Sequence, residues 1–254
     1  ENGFAVTNLH QTDFGFMVKN GTDFPGYFLY YITQAEANAV ATGATHPAAS
    51  IITNLADGSL VVIPGMSIQA AIDAAFPGDT INVTAGTYVL TTAVTVNKDI
   101  TLNGIGNPLI QVSGTGDKIT MNTAGATLQG FQIESTDKAD QQQIIRVMAS
   151  NITIQNNKIW GKFVIGDGEV SRAIVINAGS FTGLLITNNE IFNLRQPAYI
   201  SGTHTGTISN NFTYRTKGWV LEGGNLTFSG NTWGTGANAN VYDIAILANV
   251  GPDY

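Results

Sequence analysis

Apolar and polar positions follow a repeated pattern along the chain from about residue 94 onward. In each repeat an apolar residue is followed by a polar one and then by Asn or Gly. The apolar residues of this motif are Leu102, Leu128, Ile154, Ile186, Ile208 and Phe228, so successive motifs lie 26, 26, 32, 22 and 20 residues apart. Each repeat contains three short segments with strand character. The repeat predicts an all-β fold, a right-handed parallel β-helix with three strands per turn and about seven turns.

The Asn or Gly that closes each motif indicates a corner of the solenoid. Both residue types tolerate left-handed backbone angles, which a tight corner requires. Stacked Asn amides also form hydrogen bonds from one turn to the next. We therefore expect the corner to be both tightly bent and laterally bonded.

A short helix is predicted before the repeats, in the segment SIQAAIDAAFPGDTINVTAGTY at residues 67–88. Ser67 suits an N-cap, and Pro77 with Gly78 suits a helix stop. One helix face is apolar, at Ile68, Ala71, Ile72 and Ala75. This helix is expected to cap the first turn, which would otherwise expose an unpaired strand edge. Residues 239–249 are expected to form a short C-terminal cap.

Residues 1–60 follow a different pattern and are treated as an aromatic-rich N-terminal segment, with the β-helix domain at 61–254. Strands are predicted at 14–18 and 27–32, and a short helix at 33–41. The segment is expected to pack along the flank of the stack. The alternative is a contact with a neighbouring subunit, because exposed apolar patches mark interfaces. Its candidate residues are Phe4, Phe14, Phe16, Tyr27 and Phe28.

Composition and charge exclude some partners. The chain of 254 residues is 43% hydrophobic but only 11% charged, with a net charge of −7. Binding to nucleic acid needs clustered basic residues, and insertion into a membrane needs a long apolar run. The sequence shows neither feature, so neither nucleic acid nor membrane insertion is expected. The absence of cysteine permits a secreted or cell-surface location, which is our expectation. The expected partners are further copies of the chain, other surface proteins or a polysaccharide.

The chain resembles the parallel β-helix proteins of the pectin-lyase-like superfamily. The resemblance covers about residues 60–250 and rests on the 67–88 segment, the x-Ile-x-Asn-Asn repeats and the Asn-Thr-Trp-Gly sequence at 231–234. It implies the fold, but the superfamily includes lyases, polygalacturonases, epimerases, phage tailspikes and non-catalytic repeats of surface-layer and adhesive proteins. Activity has to be inferred from the site.

The catalytic motifs of that superfamily are incomplete here. Arg215-Thr-Lys217 matches the last element of the polygalacturonase motif, but the aspartate pair and Gly-His-Gly are missing. Arg195-Gln-Pro197 begins a pectate-lyase motif, but Ile200 stands where the second arginine belongs. No catalytic residue is therefore assigned, and whether the chain is an enzyme stays open, with the balance against it.

Binding residues are predicted in the longer loops that lie on one edge of the stack, at 134–143, 160–172, 193–198 and 215–218. Trp160, Phe192 and Tyr214 occupy the same aligned position in three consecutive turns and are expected to face outward. They suit a sugar-binding surface, with Arg195, Arg215 and Lys217 as further contacts. The alternative is that the three rings stack on one another beneath the loops.

A metal site is considered at Asp167 and Glu169, whose oxygens suit Ca²⁺, although one acidic turn supplies few ligands. No other cofactor is expected. The preferred hypothesis is a non-catalytic secreted or cell-surface module for adhesion, surface-layer or filament assembly, with polysaccharide as a candidate ligand. The alternatives are a divergent lyase or glycoside hydrolase acting on an acidic polysaccharide, and a trimer of the tailspike type.

Overall fold

The computed structural model describes residues 9–12, 15–20, 27–31, 51–54, 59–177 and 179–247. Side chains are described in the last two ranges. The predicted helix at 33–41 lies outside the described residues, as do Phe4 and Phe14.

Almost all regular structure is β-strand. The first strands are β1 Leu9–Thr12, β2 Gly15–Asn20, β3 Tyr27–Tyr31, β4 Ile51–Asn54 and β5 Leu60–Val62, followed by helix α1, Ile68–Ala74. The remaining strands are β6 Thr80–Val83, β7 Thr87–Val89, β8 Val94–Val96, β9 Thr101–Gly104, β10 Leu109–Val112, β11 Gly116–Met121, β12 Thr127–Gln129, β13 Gln132–Ser135, β14 Gln142–Val147, β15 Thr153–Gln155, β16 Lys158–Trp160, β17 Arg172–Ile176, β18 Leu184–Thr187, β19 Glu190–Phe192, β20 Gln196–Ser201, β21 Thr205–Ser209, β22 Phe212–Tyr214, β23 Trp219–Glu222, β24 Asn225–Ser229, β25 Thr232–Trp233 and β26 Ile244–Ile246.

Three sheets form the sides of a parallel β-solenoid. The first sheet contains β1 to β6 and then every third strand from β9 to β24. The second sheet takes every third strand from β7 to β25, and the third sheet every third strand from β8 to β26. The predicted parallel β-helix with three strands per turn is therefore confirmed. Eight strands of the first sheet, β5 to β24, run parallel, so the stack has about eight turns where seven were predicted.

The N-terminal strands extend the first sheet. β1 to β4 pair with one another in antiparallel fashion, and β4 pairs with β5. The predicted strands at 14–18 and 27–32 correspond to β2 and β3, so Phe16, Tyr27 and Phe28 lie in this extension. These strands join the end of the first sheet, where they pair backbone groups that β5 would otherwise leave unpaired. Packing of the N-terminal segment along the flank of the stack stays a prediction.

Helix α1 confirms the predicted capping element. Ser67 is its N-cap, and its hydroxyl oxygen accepts a hydrogen bond from the Ala70 amide at 3.2 Å. Ile68, Ala71 and Ile72 are buried, and the helix contacts strands of the first turns. The apolar face therefore covers the start of the core, as its spacing predicted.

In-register stacking fills the interior with columns of aliphatic side chains. One column joins Ile81, Leu102, Leu128, Ile154, Ile186 and Ile208, all at most 2% exposed. Burial of each such side chain stabilises the fold by roughly 2 kcal/mol. The apolar position of the repeat motif is thus the core position of the first sheet.

The asparagine corner follows the first sheet. Asn156, Asn188 and Asn210 have φ angles of 55–56°, in the left-handed region. The next residue in each turn carries the hydrogen-bonded ladder, in which the Asn189 amide donates to the Asn211 Oδ1 at 3.0 Å. The sequence analysis expected the left-handed backbone angle and the amide ladder at one corner position. In the structure they belong to two adjacent asparagines.

The described part of the segment predicted as the C-terminal cap, 239–249, contains strand β26. β26 pairs in parallel with β23 and so continues the third sheet. Val241, Ile246 and Leu247 are 43–52% exposed and do not form one buried face.

Candidate functional site

The charged residues gather on the edge between the second and third sheets, where the sequence placed them. The connecting loops are 136–141, 161–171, 193–195 and 215–218. Ion pairs join neighbouring turns there, with Lys138 Nζ 2.7 Å from Asp167 Oδ2 and Lys162 Nζ 2.7 Å from Glu134 Oε1. Much of this charge is thus consumed in holding the loops against one another.

The two residues considered for calcium are both bound to basic side chains. Asp167 also accepts a hydrogen bond from the Val164 amide at 2.8 Å. Glu169 contacts Arg172 and Arg195, and the hydrogen bond from Arg195 is the main cause that lowers the pKa of Glu169 to about 2. Among the described side chains, no three His, Asp or Glu residues come together as a metal site requires. Calcium binding at this turn stays a prediction, and it would require the cations to be displaced.

Trp160, Phe192 and Tyr214 stack on one another in consecutive turns. The Trp160 and Phe192 ring centroids are 5.9 Å apart at an interplanar angle of 7°, and those of Phe192 and Tyr214 are 4.6 Å apart at 4°. All three side chains are half-buried. Phe192 is therefore covered by rings on both faces, whereas Trp160, at the end of the row, stacks on a ring with one face. The three rings therefore stack on one another, as the alternative to an exposed sugar-binding surface proposed.

Polar contacts hold the Tyr214 end of the aromatic row in place. The Tyr214 hydroxyl donates to Glu190 Oε1 at 2.8 Å. Lys158 Nζ lies 3.1 Å from Glu190 Oε2 and 5.3 Å from the Phe192 ring centroid. Burial, together with the bond to Glu190, raises the pKa of Tyr214 to about 12. Tyr214 is therefore a neutral hydrogen-bond donor and is not suited to act as a base at neutral pH.

A groove of about 660 Å³ lies beside Trp160 and Phe192, at the other end of the aromatic row. Its walls are formed by Trp160, Phe163, Val164, Ile165 and Phe192. Val164 and Ile165 are 61% and 60% exposed, which is unusual for aliphatic side chains. The sequence interpretation missed these loop residues, although the apolar run Phe163-Val-Ile165 inside a charged loop was a visible signal.

Lys162 and Arg215 supply the positive charge of the groove, whose lining contains no carboxylate. Arg215 has a φ angle of 52° at the corner where the preceding turn has Asn193, at 50°. This left-handed conformation is unfavourable for arginine. Arg215 Nε donates to Asn238 Oδ1 at 2.8 Å, and the residue is exposed. Arg215 is therefore the cation that the fold places most directly at the groove.

The remaining predicted binding residues do not line the groove. The Arg195 side chain is 13% exposed and pairs with Glu169, so it holds two loops together. Lys217 is half-buried and follows Arg215 in the same loop. The structure thus brings together Trp160, Phe192 and Arg215, with Tyr214 stacked on Phe192.

Glu134, the carboxylate that pairs with the groove residue Lys162, is already engaged. Glu134 accepts hydrogen bonds from Lys162 and from Gln111, and the bond from Lys162 is the main cause that lowers the pKa of Glu134. A glycosidase needs a carboxylic acid whose pKa is raised, placed across the scissile bond from a second carboxylate. Glu134 does not meet this requirement.

Comparison of the chain with protein-family models, with curated protein sequences and with solved structures found no significant match. The class of protein is thus defined by its own architecture, a parallel β-solenoid with a groove on one edge. Within the part of the chain that the structure describes, no helix is long and apolar enough to span a bilayer.

Proposed function

We propose that this protein is a non-catalytic binding module of the cell surface or extracellular space that holds a polysaccharide chain in the groove. The observation that carries the proposal is the composition of that groove. Trp160, Phe192, Arg215 and Lys162, which is ion-paired with Glu134, line it, and no carboxylate does. Such a site can bind a ligand but lacks the pair of carboxyl groups with which most glycosidases hydrolyse a glycosidic bond.

An acidic polysaccharide fits this lining best. The edges of aromatic rings carry partial positive charge, so the edge of Phe192, whose two faces are covered by neighbouring rings, favours oxygen atoms of a ligand. Arg215 offers a planar guanidinium that suits carboxylate and sulfate groups. Because the chain has a net charge of −7, attraction of an acidic polymer has to come from this local charge.

A role in adhesion, surface-layer or filament assembly accords with the resemblance to non-catalytic repeats of the pectin-lyase-like superfamily. The extension β1 to β4 adds antiparallel strands to one end of the first sheet. Contact with further copies through Phe16, Tyr27 and Phe28 in that extension is part of the proposal.

Titration calorimetry with polygalacturonate, alginate and a neutral glucan tests the groove. Arg215→Ala should weaken binding of an acidic polymer by about tenfold, because one charged hydrogen-bonded contact is lost. Trp160→Ala should also weaken it. Lys217→Ala is the matched control, since Lys217 follows in the same loop but does not line the groove, and it should change affinity less than twofold.

The proposal is rejected if the wild type binds none of these polymers. It is also rejected if Arg215→Ala and Lys217→Ala have equal effects, because a diffuse charge would then explain binding better than the groove does.

A further inference from the structure

The outer face of the first sheet carries a column of threonines. Successive parallel strands place Thr80, Thr101, Thr127, Thr153, Thr207 and Thr227 in one column, with Leu185 interrupting it in the fifth strand. Among the described residues, none of these six hydroxyls has a protein hydrogen-bond partner. The column spans seven strands, which corresponds to about 29 Å at the usual strand spacing.

A second column runs beside the first, two residues further along each strand. It contains Asn82, Asn103, Gln129, Gln155, Thr187 and Ser209. Its side chains bond to one another: Gln155 donates to Gln129 at 2.6 Å, and Gln129 donates to Asn103 at 3.1 Å. Thr187 and Ser209 are bonded at 2.9 Å. This ladder fixes the second column, whereas the threonine hydroxyls beside it are available to a ligand.

No charged residue occurs in the eight parallel strands of this sheet, β5 to β24, although the chain has 11 basic and 18 acidic residues. The face is therefore an uncharged array of hydroxyl, methyl and amide groups. Neighbouring side chains of one column are about 4.8 Å apart, and the two columns are separated by about 6.6 Å along the strands. Charged groups keep strongly bound water, so their absence leaves the array free to contact an uncharged ordered surface.

We propose that this face binds ice. The two repeats lie near those of the hexagonal ice lattice, and the threonine methyl and hydroxyl groups together can hold water molecules at lattice positions. Charge-free composition, fixed register and unpartnered hydroxyls are the features that a lattice ligand requires. The proposal does not depend on the groove, which lies on the edge between the other two sheets.

Inhibition of ice recrystallisation in a frozen sucrose film tests the proposal directly. The wild type should keep ice grains small. Thr127→Lys combined with Thr153→Lys places two charges in the middle of the column and should abolish the effect. The matched control is Thr95→Lys combined with Thr120→Lys, two adjacent outward threonines of the third sheet, which should retain it. Circular dichroism and thermal melting verify that both variants are folded.

A wild type without effect on ice growth would overturn the proposal. Equal behaviour of the two folded double variants would overturn it as well, because the first sheet would then have no special role. Wild-type binding to crystalline cellulose or chitin in place of ice would reassign the face to a solid polysaccharide.

Discussion

His204 shows how one buried residue couples the fold to pH. Its side chain is fully buried, its Nδ1 accepts a hydrogen bond from the Phe181 amide at 3.1 Å, and its Nε2 lies 3.0 Å from the Ser201 carbonyl oxygen. Both contacts are satisfied by the neutral ring with its proton on Nε2. Burial lowers the pKa of His204, because the charged form would lose its hydration.

Stability should therefore fall as the solution is acidified below about pH 6.5, the ordinary histidine pKa. In that range the unfolded chain binds a proton that the folded chain does not, until the lowered pKa of the folded state is reached. The loss should be at most about 1.4 kcal/mol per pH unit. Denaturant unfolding between pH 5 and pH 8 measures it.

His204→Gln is the control for this pH effect. The variant should be less stable than the wild type at pH 8 but should lack most of the pH dependence between 5 and 6.5. An unchanged slope would show that other groups cause the effect.

Side-chain orientation was the part of the site that the sequence could not supply. Strand alternation predicted Trp160, Phe192 and Tyr214 on the outer surface of three adjacent turns, and in the structure the three side chains are half-buried. Whether ring faces or ring edges meet solvent depends on side-chain torsions, which alternation does not determine. The pairing of Glu169 with Arg195 depends in the same way on how two loops fold against each other.

At the scale of elements, the asparagine corner joins each strand of the first sheet to the next strand of the second. Asn189 Nδ2 donates to the Ile154 carbonyl oxygen at 2.9 Å, and its Oδ1 accepts from the Asn157 amide at 3.0 Å. Asn189 is 2% exposed, so no water can replace these bonds without a rearrangement. The ladder therefore satisfies backbone groups that the corner would leave unpaired.

Asn189→Ala should destabilise the protein by about 3 kcal/mol, because it leaves buried backbone donors and acceptors without partners. The neighbouring substitution Asn188→Gly is the matched control. It keeps a residue that tolerates the φ angle of 55°, so its effect should stay within about 1 kcal/mol. Urea unfolding of the two variants and the wild type decides the matter. Equal losses would contradict a special role of the ladder.

The elements with strong local signals were predictable. Period-two alternation and the Asn-Asn pairs located the strands and corners of the repeats, and the Ser67 cap with its apolar spacing located α1. β26 was not recognised as a strand within the predicted C-terminal cap, because its three residues carry too little pattern. The extension β1 to β4 was predictable as strands in part, but its pairing with β5 is a contact between distant segments that no local pattern encodes.

At the scale of the whole molecule, the sides of the solenoid differ in chemistry. The first sheet is free of charge along its eight parallel strands, whereas the edge between the second and third sheets carries ion pairs and the groove. Stacking of a repeat exposes equivalent positions in rows, so each side can evolve as one surface. The sequence predicted the charged edge from loop length, but the groove depends on how those loops pack.

Binding without cleavage is the central claim, and one measurement tests it most directly. The wild type is incubated with a panel of acidic and neutral polysaccharides. Complex formation, the number of reducing ends and the absorbance of unsaturated uronates are all measured in the same samples. The account predicts a complex with an acidic polymer whose chain length stays constant over days. New reducing ends or unsaturated products would contradict it and make the protein an enzyme.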